Sequence, residues 1–119
     1  MHDHFLVVLS CGTDNPNRAT RGLQLAASAA KAGRKTTVFL LDEGVYLAKK
    51  GMAANITAAT GDKADDHLQF LQEYNVSILA CGPCAKSRQI SEKDLVEGAR
   101  LSTANELIEM SFNSAVISL

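Results

Sequence analysis

FLVVLSCGTDNPNRATRGLQLAASAAKAGRKTTVFLL, residues 5–41, decides the fold class. It opens on Phe5–Ser10, a short run apolar at successive positions rather than at alternate ones. That is the signature of a strand covered on both faces, the kind a parallel sheet contains. A polar turn follows, Cys11-Gly12-Thr13-Asp14-Asn15-Pro16. Asn15 before Pro16 reads as a helix N-cap with proline at the first helical position, where its missing N–H costs nothing. Ala19, Leu23, Ala26, Ala27 and Ala30 then recur at helical spacing, and Gly33 stands where a C-terminal glycine belongs. Thr36–Leu41 is a second buried run. A helix-length crossover between two such strands makes them parallel partners.

Working outward, residues 43–66 show no clear period and are expected to form a loop with short helical pieces, Val45–Lys50 among them. Asp66–Tyr74 carries Leu68 and Leu71 at helical spacing. Val76–Cys81 is a third buried strand, and Ala85–Ile90 begins a short helix. Ser91–Asp94 and Thr103–Glu106 have the form of capping boxes. Glu106–Phe112 is a last helix and Ala115–Leu119 a fourth strand. The alternation predicts one domain over 1–119, a three-layer Rossmann-like α/β sandwich with a mostly parallel sheet and right-handed crossovers.

Composition narrows the function. At 119 residues, 46% of them hydrophobic, the chain has enough apolar side chain for a core. A net charge of −1 leaves no electrostatic footprint for nucleic acid. No apolar run approaches the ~18 residues of a membrane span. The first residues lack the basic stretch of a signal peptide, so the cytoplasm is the expected location. Three cysteines, an odd number, argue against a secreted disulfide scaffold. No GxGxxG or GxxxxGK[ST] pattern supports a nucleotide, and no cofactor is expected.

The chemistry gathers in ILACGPCAKSRQI, residues 78–90. Ligands of open α/β sheets bind beyond the carboxyl ends of the strands, at the switch in strand order. That edge should collect Cys11-Gly12, Asp42-Glu43 and Cys81–Cys84. Cys81 ends a strand just before a helix, and a helix N-terminus favours a thiolate. Gly82 frees the backbone to turn, Pro83 stiffens the turn, and Lys86 and Arg88 add positive charge. Together these predict a lowered thiol pKa at Cys81. Three readings are open: dithiol–disulfide cycling between Cys81 and Cys84, a zinc half-site, or a single nucleophile, Cys81, carrying sulfur as a persulfide. Zinc needs two more ligands. Cys11 is one candidate, but His2 and His4 lie at the far end of their strand and His67 begins a helix. Cys11 joins the site only if the first and third strands are neighbours.

From the segments FLVVLSCGTDNPNRATRGLQLAASAAKAG, KTTVFLLDEGVYLAKKG and VSILACGPCAKSRQI, the chain resembles the DsrE/DsrF-like family, which includes the TusD-type sulfur-relay proteins. The specific feature is the strand-end cysteine followed by a small-residue, basic helix start, Cys81–Arg88. The resemblance implies a DsrE-like fold, a homo-oligomer (dimer, trimer or hexamer), and a persulfide at Cys81 exchanged with a protein sulfur donor and acceptor. Cys84 departs from the relay pattern. It matches a CGPC-containing subgroup labelled peroxiredoxin-like, and leaves sulfur transfer and plain thiol exchange both open, with a non-catalytic oligomeric binding module as the third reading.

One expectation concerns assembly. Val45, Tyr46, Leu47, Met52, Ala53, Ala54 and Ile56 are many apolar groups for a loop. Exposed, they would form an interaction patch, which predicts self-association through this segment.

Overall fold

A computed structural model describes residues 3–119; His2 lies outside them. The strands are β1 (His4–Leu9), β2 (Lys35–Leu40), β3 (Ser77–Cys81), β4 (Ala99–Ser102) and β5 (Ser114–Ser118). The helices are α1 (Pro16–Lys31), α2 (Ala64–Glu73), α3 (Gly82–Ser87) and α4 (Ala104–Ser111). The sheet has the order β4-β3-β2-β1-β5, and every pairing is parallel. The expected α/β sandwich is what forms.

Side-chain alternation along the buried strands divides the core in two. Val7, Leu9, Val38, Leu40, Ile78 and Ala80 belong to the larger cluster, shared with Ala19, Leu23 and Ala26 of α1 and Leu68 and Leu71 of α2. Leu6, Phe39 and Leu79 face the other way and meet Leu107 and Met110 of α4. Small residues let α1 lie close to the sheet: a Cβ on Gly22 would come within 2.6 Å of the Leu9 side chain. The α1 start is built as expected, with Asn15 Oδ1 accepting from Arg18 N at 3.1 Å and Pro16 in the first turn.

Three sequence expectations need correction. The chain has a fifth strand: β4, Ala-Arg-Leu-Ser, is a four-residue edge strand with a charge inside it, so it lacks an apolar run. α3 begins at Gly82 rather than Ala85, because Pro83 is tolerated in a first turn. The 43–66 stretch does contain the short helical pieces expected, as 3₁₀ helices at Asp42–Ala48 and Ala53–Asn55. Its apolar groups are not offered to a partner: Val45, Leu47, Ala48, Ala53 and Ile56 are all buried in the core. Helix-like turns here bring consecutive apolar residues under α2 and the sheet. The exposed large apolar residues are elsewhere, at Tyr74, Ile108, Phe112 and Val116. His4, far from any ligand set, is in β1 and its Nε2 hydrogen-bonds Thr37 Oγ1 at 2.7 Å.

Candidate functional site: the Cys81–Cys84 pair

Cys81 is the last residue of β3 and the N-cap of α3. Gly82 and Pro83 fill the first turn, and Cys84 returns to the same side of that turn three residues on. The two sulfurs are 2.7 Å apart, and both are free thiols. Gly82 sits close against β4: a Cβ there would meet Ser102 O at 3.2 Å. The register places Cys81 beside Ser102 across the β3–β4 pair.

β2 delivers the acidic side of the site. Asp42 follows β2 with φ +48°, a left-handed conformation that aspartate tolerates better than most residues. Its Oδ1 lies 3.8 Å from Cys84 Sγ. The turn is fixed on both sides. Leu41 N bonds Leu9 O at 3.0 Å and Gly44 N bonds Leu41 O at 2.8 Å. Gly44 admits no side chain, since a Cβ would stand 2.3 Å from Leu9 O. Gly12 is the reciprocal case, its Cβ position 2.3 Å from Glu43 O. The sequence Cys11-Gly12 thus serves as a close backbone contact under the site. Tyr46 packs beside Gly12 as a partly buried member of the core.

Arg88 is brought to the site, though not to a sulfur. Its Nε and Nη2 donate to Glu43 Oε1 at 3.0 and 2.8 Å, and its Nη1 donates to Cys84 O at 3.1 Å. The side chain therefore ties α3 to the end of β2. Lys86 is exposed and lines a groove of about 430 Å³ with Gly82, Gln89, Ile90, Ser91, Glu92 and Leu101.

These positions overturn the expected activation of Cys81. Its pKa lies above the ordinary thiol value, first because burial disfavours the thiolate, then because of hydrogen bonding to Cys84. The backbone N–H of Cys84 opposes this, while negative charge at Cys84 and Asp42 adds to it. The helix start acts as expected but loses to burial. Arg88 is occupied by Glu43.

Cys11 is not gathered in. β2 lies between β1 and β3, so two strand spacings of about 4.8 Å each separate the strand ends. The strand order reverses between β1 and β5, so the cysteine pair lies at the carboxyl edge but away from the switch point. Among the described residues no three His, Cys, Asp or Glu side chains cluster as a metal site.

Sequence reasoning missed the network next to Cys81. Glu106 accepts from Arg100 and from the Ser102 hydroxyl, and its pKa falls to about 2, chiefly through the Arg100 hydrogen bonds. Thr103 Oγ1 does accept from Glu106 N at 3.2 Å, but the Glu106 carboxylate turns to β4 rather than completing a capping box. The Arg100-x-Ser102 alternation was the available signal.

The DsrE/DsrF-like family model matches residues 3–119. Uncharacterized protein MK0008 of Methanopyrus kandleri is 34% identical over 109 residues, spanning 89% of this chain and 84% of that protein. Uncharacterized protein MJ0989 of Methanocaldococcus jannaschii is 34% identical over 107 residues, 87% of this chain and 88% of that one. Among solved structures, the ychN protein from E. coli superposes with a TM-score of 0.81 at 20% identity, covering all of both chains. MTH1491 from Methanobacterium thermoautotrophicum gives a TM-score of 0.67 at 14% identity, covering 97% of this chain and 99% of that one. The family match over nearly the full length, the archaeal relatives and the shared five-stranded parallel fold agree: the chain belongs to the DsrE/DsrF-like family.

Proposed function

We propose that this protein is a sulfur carrier in which Cys81 holds sulfane sulfur as a persulfide and Cys84 resolves it. The 2.7 Å separation of the two sulfurs carries the reading. In uptake, the Cys81 thiolate attacks the outer sulfur of a donor persulfide. The new bond gives Cys81–S–SH, and the donor leaves as a thiolate. In delivery, an acceptor thiolate attacks that same outer sulfur and Cys81 is returned as thiolate. In resolution, the Cys84 thiolate attacks Cys81 Sγ, hydrosulfide leaves, and the two cysteines become a disulfide. A dithiol reductant then restores the pair. The donor and acceptor are proteins with persulfide-forming cysteines, and the groove lined by Gly82 and Lys86, at the start of the same helix, offers them a docking surface.

A second reading is favoured by the same spacing: thiol–disulfide exchange without sulfane sulfur. Intact-mass spectrometry after incubation with a persulfide donor separates the two. The carrier predicts a gain of about 32 Da, one sulfur, in Cys84→Ser and none in Cys81→Ser. No gain in any variant, with a loss of about 2 Da on mild oxidation of wild type, would replace it with the exchange reading.

Self-association through the α4 side of the sheet belongs to the same proposal. Val116 pairs with Leu6, so both side chains point to that side. Ile108 and Phe112, one helical turn apart, project from the same end of α4. All three are exposed, Phe112 by 74%.

A further inference from the structure

Cys84 has one thiol proton and two acceptors within reach. Cys81 Sγ lies at 2.7 Å and Asp42 Oδ1 at 3.8 Å. The adjacent carboxylate, Glu43, is held by Arg88 and is not free for the task. Asp42 is exposed and is kept in place by its left-handed turn.

We propose that Asp42 is the catalytic base that takes the Cys84 thiol proton as Cys84 attacks sulfur on Cys81. This rests on the two cysteines acting as a pair, as proposed above. The direction of one proton then sets the stage of the cycle. Held toward Cys81 Sγ at 2.7 Å, it keeps Cys84 a thiol. Drawn to Asp42, it makes Cys84 the nucleophile for resolution. In that step the S–H bond of Cys84 breaks toward the Asp42 carboxylate and a Cys84–Cys81 bond forms. The group on Cys81 leaves with the electron pair of its S–S bond. Cys81 and Cys84 are together oxidised by two electrons, and the leaving sulfur is reduced by two. Asp42 returns its proton to water. A base acting in the transition state needs no full transfer of the proton to the carboxylate.

The probe is the aromatic disulfide 5,5′-dithiobis(2-nitrobenzoate), applied at one equivalent to the Cys11→Ser protein. It caps one cysteine as a mixed disulfide with release of one coloured thiolate, and attack by the other cysteine releases a second. Cys84→Ser should retain the cap on Cys81. Asp42→Asn keeps the shape and suits a positive φ. The expected result is second-phase release slowed on the order of 100-fold at neutral pH, the low end of general-base effects. The wild-type and Asp42→Asn rates should converge at alkaline pH, where hydroxide ionises the thiol. Equal rates at all pH values, or an equal slowing at all pH values, would overturn the proposal; the latter marks a structural role. Release as fast from Cys84→Ser as from wild type would overturn the pairing itself. Because this probe carries no sulfane sulfur, its outcome is independent of the 32 Da test.

Discussion

Arg88 grips a single oxygen of Glu43 with two nitrogens, Nε at 3.0 Å and Nη2 at 2.8 Å, while its third nitrogen holds Cys84 O. The contact joins the helix bearing one cysteine to the strand end bearing Asp42. Arg88→Ala should therefore loosen the spacing of the sulfurs and slow disulfide closure severalfold. Arg88→Lys should rescue only part of the loss, because an ammonium cannot reproduce the fork of donors. Stopped-flow closure after an oxidant pulse measures both.

Gly12 is a packing requirement rather than a ligand site. Its Cβ position lies 2.3 Å from the Glu43 carbonyl, a backbone atom that cannot swing aside. Gly12→Ala should cost about 1–3 kcal/mol, the usual range for overpacking, and urea unfolding would show it as a lower midpoint. The same substitution displaces Glu43, so closure of the cysteine pair should slow in parallel.

The Asp42 carboxylate raises the Cys81 pKa, after burial and Cys84. Replacing it with Asn should lower that pKa, whereas a cationic replacement should lower it further. Alkylation rate against pH in the Cys11→Ser/Cys84→Ser protein reads Cys81 alone. The Asp42→Asn profile should sit toward lower pH than its parent.

Glu106 supplies an acid-sensitive element. Its pKa falls from 4.5 to about 2 on folding, so the unfolded chain takes up the proton first. Its stabilising contribution is whole above pH 4.5 and disappears as pH falls through about 2. Arg100 is exposed and Glu106 partly so, and solvent screening keeps the effect modest. Glu106→Gln should flatten that part of the stability–pH curve, measured by thermal unfolding between those limits.

Phe112→Asp tests assembly. Size-exclusion with light scattering at micromolar concentration should show an oligomer for wild type and a smaller species for the variant. A substitution at Met52, in the segment first expected to assemble, should leave the mass unchanged.

The α/β architecture is legible because Phe5–Leu9, Val38–Leu41 and Ile78–Cys81 are apolar at successive positions, the pattern of a strand covered on both sides. Asn15-Pro16 and Gly33 mark α1 by local chemistry that tertiary packing does not override. β4 escapes because an edge strand needs burial on little of its surface, so Ala99–Ser102 carries no hydrophobic pattern. Residues 45–56 mislead for the opposite reason. Tight 3₁₀ turns bury apolar residues without any period that a helix or strand template detects. At the site, the spacing of Cys81 and Cys84 is enough to bring them together. The sign of the Cys81 shift is not readable, because it depends on burial and on Asp42, which lies 39 positions earlier in the chain.

β1 lies between β2 and β5, and Leu119 bonds both Ser10 and Val8. One flank of this inner strand is thus completed by the nearest strand in sequence and the other by the most distant. During synthesis on the ribosome, β1–β4 can assemble while β1 still offers an open row of N–H and C=O groups. That edge is a template for any other extended chain until β5 emerges. Long-range closure of this kind slows folding. The nascent protein accordingly passes through an interval with this inner strand half paired, and a truncation before β5 would make that interval permanent.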